Sequence, residues 1–338
     1  MLTVSLRRFS GAVTFLCIAL LTLSLLPGVA GAAPGGDDEG GTPSLREMLD
    51  IALRDYNDAK GRLDASVQRQ ATLDADIKKA ELRLQLLQSQ VGSIAAAAYR
   101  GSRMGLTSAI LDSGSPDGML HAVTTVQYLT LRDDRQLRAL VVAQKTYAEQ
   151  KQALADEIKL QQDQLAVMDK KKKDVEAALR RAGGGQLSAG FVPGKATASQ
   201  APRNADGSWP KETCSAKDPT TSNCLTPRTL HALQESRIAG YTRYTACYRS
   251  ASFGEHPKGR ACDYSAAANG FVDARATGTD KTYGDRLAGW LIANTDRLGI
   301  LYVIWYKQIW FPGQGWRSYS GDGTPAGDHY NHVHLSIQ

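Results

Sequence analysis

The chain has 338 residues, a formal net charge of +6 and 42% hydrophobic residues. This length allows two domains in addition to processing segments. The basic residues are dispersed, and their densest run, 170–173, falls in a predicted polar helix, where such a run usually forms a solvated face. The composition therefore argues against a nucleic-acid partner, and we expect none.

Residues 1–32 are predicted to be a secretory signal peptide. Two arginines precede an apolar run from Gly11 to Leu26, and a stretch of small residues then leads to Ala32. The apolar run is shorter than the ~20 residues needed to span a bilayer, so cleavage after Ala32 is favoured over an uncleaved membrane anchor. We therefore expect an exported protein, in which the Gly- and Asp-rich segment 33–42 is disordered.

Residues 43–182 are predicted to form an all-α coiled-coil hairpin. In the first helix, apolar residues repeat at alternating four- and three-residue steps: Leu73, Ile77, Ala80, Leu84, Leu87, Val91 and Ile94. The second helix is predicted over 133–181, and polar residues interrupt its seam at Gln144, Lys151, Gln161 and Lys172. Turn residues and a short helix, 119–131, are predicted to form the tip.

The tip also carries a family resemblance. Its sequence AYRGS…SGSPD and the flanking heptads resemble the coiled-coil domains of secreted bacterial cell-wall hydrolases that are regulated at the division site. The resemblance implies an arm that regulates or positions an enzyme and docks on a membrane partner of the division complex. A passive spacer is the alternative.

A flexible linker, 183–208, is predicted to precede an α+β C-terminal domain, 209–338, with a small antiparallel sheet. The apolar patterns predict a helix over 227–238, an extended segment over 240–248 and a second helix over 283–298. They also predict strands over 300–305 and 331–337. We expect the histidine motifs at one edge of the sheet.

Four cysteines follow the predicted signal peptide. An even number of cysteines in an exported chain indicates disulfides, and the local spacing favours Cys214–Cys224 and Cys247–Cys262. In an extended segment, Cys262 points away from the face that carries Asp263.

Two segments of the C-terminal domain carry the candidate site. The first is HPKGRACD from His256 to Asp263, and the second is HYNHVH from His329 to His334. Two imidazoles and a carboxylate, with one position left for water, are what a catalytic zinc site needs. The last segment alternates, with His332, His334 and Ser336 on one face of a strand and Val333, Leu335 and Ile337 on the other. A half-buried strand with two incidental histidines is the alternative, and the first segment favours a metal.

These segments resemble those of the zinc peptidases that cut D-amino-acid bonds in peptidoglycan. HPKGRACD fits the HxxGxAxD pattern of that superfamily, which includes D-Ala-D-Ala carboxypeptidases, vancomycin-resistance D,D-dipeptidases and penicillin-insensitive murein endopeptidases. HYNHVH resembles the H-x-x-H-x-H ending of the carboxypeptidase and murein endopeptidase branches. The resemblance implies that His256, Asp263 and His334 bind Zn²⁺ and that His329 and His332 lie beside it.

The resemblance also bears on substrate binding and on the general base. Tyr248-Arg249-Ser250 looks like the YRS/YRT step at which family members place a substrate-binding cation, which implies that role for Arg249. Gly254 replaces a serine found in many relatives, and Asn331 stands where several branches have a Glu or Asp base. An amide cannot take a proton from water, so we expect His332, which shares its face with His334, to be the base. His329 would then orient the substrate or stabilise the oxyanion.

We therefore expect a secreted, cell-wall-associated zinc metallopeptidase that cleaves stem peptides or cross-bridges of peptidoglycan, as a carboxypeptidase or an endopeptidase. The alternative is an inactive zinc-binding module that binds the cell wall or activates another hydrolase. Asn331 is the residue that favours this alternative.

Overall fold

The computed structural model of the protein describes residues 43–102, 108, 110, 114–181 and 185–338. The predicted signal peptide and the segment 33–42 lie outside the described residues. Among the helices within these ranges, none combines the length and apolar character needed to cross a membrane.

The N-terminal part is a helical hairpin, as predicted. Helix α1 (Pro43–Ala97) ends in a π-helical turn (Ala98–Ser102), and helix α2 (Pro116–Arg181) returns along it. The expected separate tip helix, 119–131, is wrong, because these residues are the beginning of α2. No glycine or proline lies between Met119 and Arg181, so nothing in the sequence interrupts the helix there.

The C-terminal domain has the predicted α+β fold, with short helices and a mainly antiparallel architecture. A two-stranded ribbon precedes the first helix: β1 (Ala216–Lys217), β2 (Cys224–Leu225) and α3 (Pro227–Ile238). The main sheet contains β3 (Thr245–Ala246), β4 (Ala261–Ser265), β5 (Ile300–Trp305), β6 (Gln308–Phe311), β7 (Gly315–Ser318) and β8 (His332–Ile337). Its order is β3-β4-β8-β5-β6-β7, and every neighbouring pair is antiparallel. The motif strands β4 and β8 are therefore interior strands and not the sheet edge that we expected.

The predicted helix 283–298 is two helices, α4 (Gly278–Ala293) and α5 (Thr295–Leu298). They meet at Asn294, whose buried side chain accepts a hydrogen bond from the Ala198 amide and donates one to the Trp290 carbonyl oxygen. The first bond joins the junction to the segment before the C-terminal sheet, and the second joins it to the last turns of α4. The predicted extended segment 240–248 contains only the short strand β3.

The two faces of the main sheet pack against different parts of the chain. One face and helix α4 form a core that includes Cys262, Leu287, Leu291, Val303, Trp305, Val333 and Leu335. The opposite face packs against the base of the hairpin in a second core that includes Leu49, Leu53, Tyr56, Val175, Leu179, Tyr302, Ile304, Phe311 and Tyr319. The hairpin base is thus part of the structure that encloses the sheet.

The stretch predicted as a linker contacts the C-terminal domain at several points. Gly194 donates a backbone hydrogen bond to Gly289, Leu187 forms an isolated bridge with Arg317, and Ala198 is 1% exposed. The positions of the domain boundaries remain a prediction.

Both predicted disulfides are present. Cys214–Cys224 closes a separation of 10 residues, and Cys247–Cys262 closes one of 15 residues. The second disulfide fixes the segment before His256 to strand β4, on the sheet face opposite Asp263.

Candidate metal centre

Three structural elements bring His256, Asp263 and His334 together. His256 begins a short 3₁₀ turn (His256–Lys258), which ends at Gly259 with φ 68°, a left-handed conformation that favours glycine. Asp263 lies on β4, directly opposite His334 on β8. Because directly opposed residues project to the same face of an antiparallel pair, the register places this carboxylate and this imidazole side by side.

The three side chains converge on one point. Asp263 Oδ1 lies 2.9 Å from His334 Nδ1, and Asp263 Oδ2 lies 3.2 Å from His256 Nε2. The two histidine nitrogens are 3.3 Å apart. One potential ligand atom from each residue lies within 4.8 Å of the other two. The side chains are at most 2% exposed, so this is an enclosed cluster.

Neighbouring groups orient both histidine rings. His256 Nδ1 donates a hydrogen bond to the Cys247 carbonyl oxygen, which leaves Nε2 facing the cluster. His334 Nε2 lies 2.8 Å from the Ser336 hydroxyl oxygen, which leaves Nδ1 facing Asp263. The Tyr302 ring stacks on His334 with the ring planes 14° apart. Such outer partners fix the orientation of histidines that bind metals.

The donor set suits a zinc ion. Two imidazole nitrogens and one carboxylate face a common point, and zinc takes this set together with one open position. Burial would raise the pKa of Asp263, but its electrostatic interaction with His256 and the hydrogen bonds with the ring nitrogens of His256 and His334 hold it well below its usual value. The carboxylate is therefore ionised at neutral pH, as a metal ligand must be.

His332 lies beside this cluster on the same face of β8. Its Nε2 is 3.6 Å from Asp263 Oδ1, and its Nδ1 donates a hydrogen bond to the Asn331 side-chain oxygen over 2.7 Å. Burial is the main cause that lowers the pKa of His332, to about 4. His332 is accordingly a neutral imidazole at neutral pH, with the lone pair of Nε2 on the side of the cluster.

His329 is the second neighbour of the cluster. Its φ of 53° is unusual for a non-glycine residue, and its ring centre is 4.6 Å from that of His332. Nδ1 donates to the Gly327 carbonyl oxygen, whereas the buried Nε2 has no hydrogen-bond partner among the described residues. Burial and the nearby histidines hold the pKa of His329 well below its usual value. A neutral acceptor nitrogen therefore lies close to His332.

Arg249 also contacts the cluster. Its Nη1 donates to Asp263 Oδ2 over 3.2 Å, and its side chain is 15% exposed. The structure thus brings all six predicted site residues into one neighbourhood, and their roles remain predictions.

Sequence reasoning missed two features around the site. Tyr302 stacks on His334, but its position within a uniformly apolar strand carried no such signal. Glu255, which precedes His256, is fully buried and binds Arg54 of helix α1. The position of Glu255 directly before the first motif is a signal that it could have a structural role near the site. Its partner Arg54 lies 201 residues away, and no sequence pattern connects the two residues.

The comparisons with known proteins bear on the C-terminal domain alone. A family model described as VldE, C-terminal domain, matches residues 221–330. The matched segment contains His256, Asp263 and His329 and ends before β8. No curated protein and no solved structure matches the chain. The family match supports, at the level of the domain, a D,D-peptidase-like hydrolase related to peptidoglycan.

Proposed function

We propose that residues 209–338 form a zinc-dependent peptidase that cleaves peptide bonds of peptidoglycan, in its stem peptides or cross-bridges. The observation that carries the proposal is the convergence of His256, Asp263 and His334 within 4.8 Å of one another. The family match to 221–330 supports the same class of hydrolase.

The metal would be held by His256 Nε2, His334 Nδ1 and the Asp263 carboxylate. When bound there, zinc would lower the pKa of a water molecule to about 7 and polarise the scissile carbonyl. Peptide hydrolysis at this site would also require a base, a group that binds the substrate and the exclusion of bulk water.

His332 is the proposed base. Because Nδ1 donates to Asn331, the lone pair of Nε2 faces the cluster, 3.6 Å from Asp263 Oδ1. A neutral imidazole in this position has a free lone pair that can accept a proton during the reaction and return it to the leaving amine. His329, with its acceptor nitrogen beside His332, would orient the substrate by accepting a hydrogen bond from it. To stabilise the developing oxyanion instead, the ring would have to carry a proton on Nε2.

Arg249 is the residue that we propose binds the substrate through its positive charge. Its side chain is 15% exposed, and its guanidinium contacts Asp263 of the cluster. A peptidoglycan stem ends in a carboxylate, and guanidinium groups bind carboxylates through paired hydrogen bonds. The contact between Arg249 and Asp263 would then be exchanged in part for a contact with substrate.

An inactive zinc-binding module is the second candidate, and Asn331 favours it. Its amide is bound between His332 and the Val272 carbonyl oxygen and presents no carboxylate to the site. Such a module would bind the cell wall or activate another hydrolase. In either case we propose an extracytoplasmic location, with the hairpin as the arm that regulates or positions the domain.

A digest of purified sacculi decides between the two candidates. The full chain and its Leu53→Asp variant, in which the contact between α1 and the sheet is weakened, would be loaded with zinc and incubated with sacculi. Mass spectrometry should then find muropeptides shortened at the stem or cut at the cross-bridge. Stoichiometric zinc without new products from either protein would favour the inactive module.

A further inference from the structure

The metal centre lies on the sheet face that the hairpin covers. Tyr302, which stacks on His334, belongs to the same core as Leu49 and Leu53 of α1. Ile304, the direct neighbour of His334 on β5, belongs to this core as well. The base of α1 therefore packs beside the metal centre and not on the opposite face.

Helix α1 also reaches the other side of the metal centre. Glu47 binds Lys258 over 2.9 Å, and Arg54 binds the buried Glu255. Arg54 additionally donates to the carbonyl oxygen of Ile337, at the end of β8. Glu255 and Lys258, which form these ion pairs with α1, lie on either side of His256 in the chain. Helix α1 therefore extends over the metal centre from β5 to the His256 turn.

Asp50 lies between these two ion pairs on α1. It is three residues after Glu47 and four before Arg54, so the helical repeat places all three on one side of the helix. Leu49, Asp50 and Leu53 are at most 2% exposed, whereas Ile51 is 52% exposed. The side of α1 that faces the His256 turn thus carries a buried carboxylate.

We propose that residues 47–56 of α1 are an intramolecular cover of the metal centre, in which the Asp50 carboxylate faces the metal. This rests on the proposed function in so far as the covered site is the peptidase centre. A substrate must displace the cover, so the hairpin keeps the enzyme inactive until a partner moves it. The arrangement explains why five site residues, His256, Asp263, His329, His332 and His334, are at most 2% exposed.

The cover is tested by the reactivity of the histidines with diethyl pyrocarbonate in the metal-free full chain. His121 on the hairpin is exposed and serves as the internal reference. In the wild-type chain the site histidines should react far more slowly than His121. The Leu53→Asp variant should raise their rate on the order of tenfold or more, because each 1.4 kcal/mol lost from the closed state opens it tenfold further.

Ile51→Asp is the matched control, since it places the same charge on the exposed side of α1. Hydrogen exchange distinguishes opening from unfolding: in Leu53→Asp, peptides of 47–56 should lose protection while β5 keeps it. If 47–56 loses protection and the site histidines stay unreactive, the cover is refuted. Rapid labelling of these histidines in the wild-type chain would refute it as well.

The role of Asp50 is tested by the zinc affinity of the full chain in competition with a chelator. Removing an anionic group near the metal in Asp50→Asn should weaken zinc binding on the order of tenfold. Asp64→Asn, on the exposed part of the same helix, is the control and should bind zinc as the wild-type chain does. Unchanged affinity in Asp50→Asn overturns its role. A protein that binds no zinc at all refutes the proposed function and the role of Asp50, whereas histidine labelling still decides the cover.

Discussion

The side-chain oxygen of Asn331 accepts a hydrogen bond from Nδ1 of His332 over 2.7 Å. The amide nitrogen of Asn331 donates to the Val272 carbonyl oxygen over 2.9 Å, and this second bond fixes which end of the amide faces the histidine. His332 is thereby held in the tautomer that carries its proton on Nδ1. The residue that cannot act as a base thus orients one that can.

Replacing Asn331 by aspartate tests this arrangement. In Asn331→Asp a carboxylate oxygen would face the Val272 carbonyl oxygen in place of a donor, so we expect a loss of about 1–3 kcal/mol in the free energy of unfolding. Urea unfolding at neutral pH measures it. The exposed Asn223 provides the control, and Asn223→Asp should be close to neutral. A variant at Asn331 as stable as the wild-type chain would contradict the proposed donor.

Removing His332 separates metal binding from proton transfer. The comparison is made in the Leu53→Asp chain, in which the cover is weakened. There we expect His332→Ala to keep stoichiometric zinc and to lose on the order of a hundredfold or more in the rate of muropeptide cleavage, because a positioned base contributes about that much. His329→Ala should lose less. His231→Ala is the control, since His231 lies on helix α3, outside the cluster. Full activity in both site variants would exclude a histidine base.

Removing His256 should abolish stoichiometric zinc. In the proposed site three ligands would hold the metal, and His256→Ala leaves two of them, which lie on adjacent strands. Elemental analysis of the dialysed full chain measures the effect, with His121→Ala as the control. Zinc that persists at one ion per chain in His256→Ala would show that the ligand set is wrong.

Local patterns predicted much of the site. The alternation that separates His334 from Val333 is a property of a single strand, so the two faces of β8 follow from the sequence alone. Long-range placement did not follow. Asp263 and His334 are 71 residues apart, and only the register of β4 against β8 makes them neighbours.

The hairpin shows the same limit. Its heptads predicted two helices, but they carry no information about what the base of α1 packs against. The hydrogen bond from Arg54 to Glu255 joins residues 201 positions apart, and it depends on how the sheet and the hairpin are arranged in space. The sequence from Met119 to Arg181 contains no helix-breaking residue, which is consistent with the single helix α2. The turn residues before Met119 nevertheless led to the prediction of a separate tip helix, 119–131.

Asp218 connects the ribbon to the segment that carries Arg249. Its carboxylate accepts hydrogen bonds from the hydroxyls of Thr220 and Thr221 and from the Tyr248 amide, one residue before Arg249. Burial would raise the pKa of Asp218, but these hydrogen bonds outweigh it and lower the pKa below its ordinary value of 3.8. The folded state therefore favours the ionised form.

The consequence is a pH-dependent contribution to stability. Because the folded pKa lies below the unfolded one, the contribution is fully present above the unfolded pKa and is lost as the pH falls through the folded pKa. We expect Asp218→Asn to have a lower free energy of unfolding than the wild-type chain at neutral pH, and the difference should shrink once the pH falls below about 4. Urea unfolding between about pH 7 and about pH 3 measures it. A difference that stays constant down to the lowest pH would show that the Asp218 carboxylate has the same pKa in both states, and the bonds to Tyr248 and the threonines would then not depend on its charge.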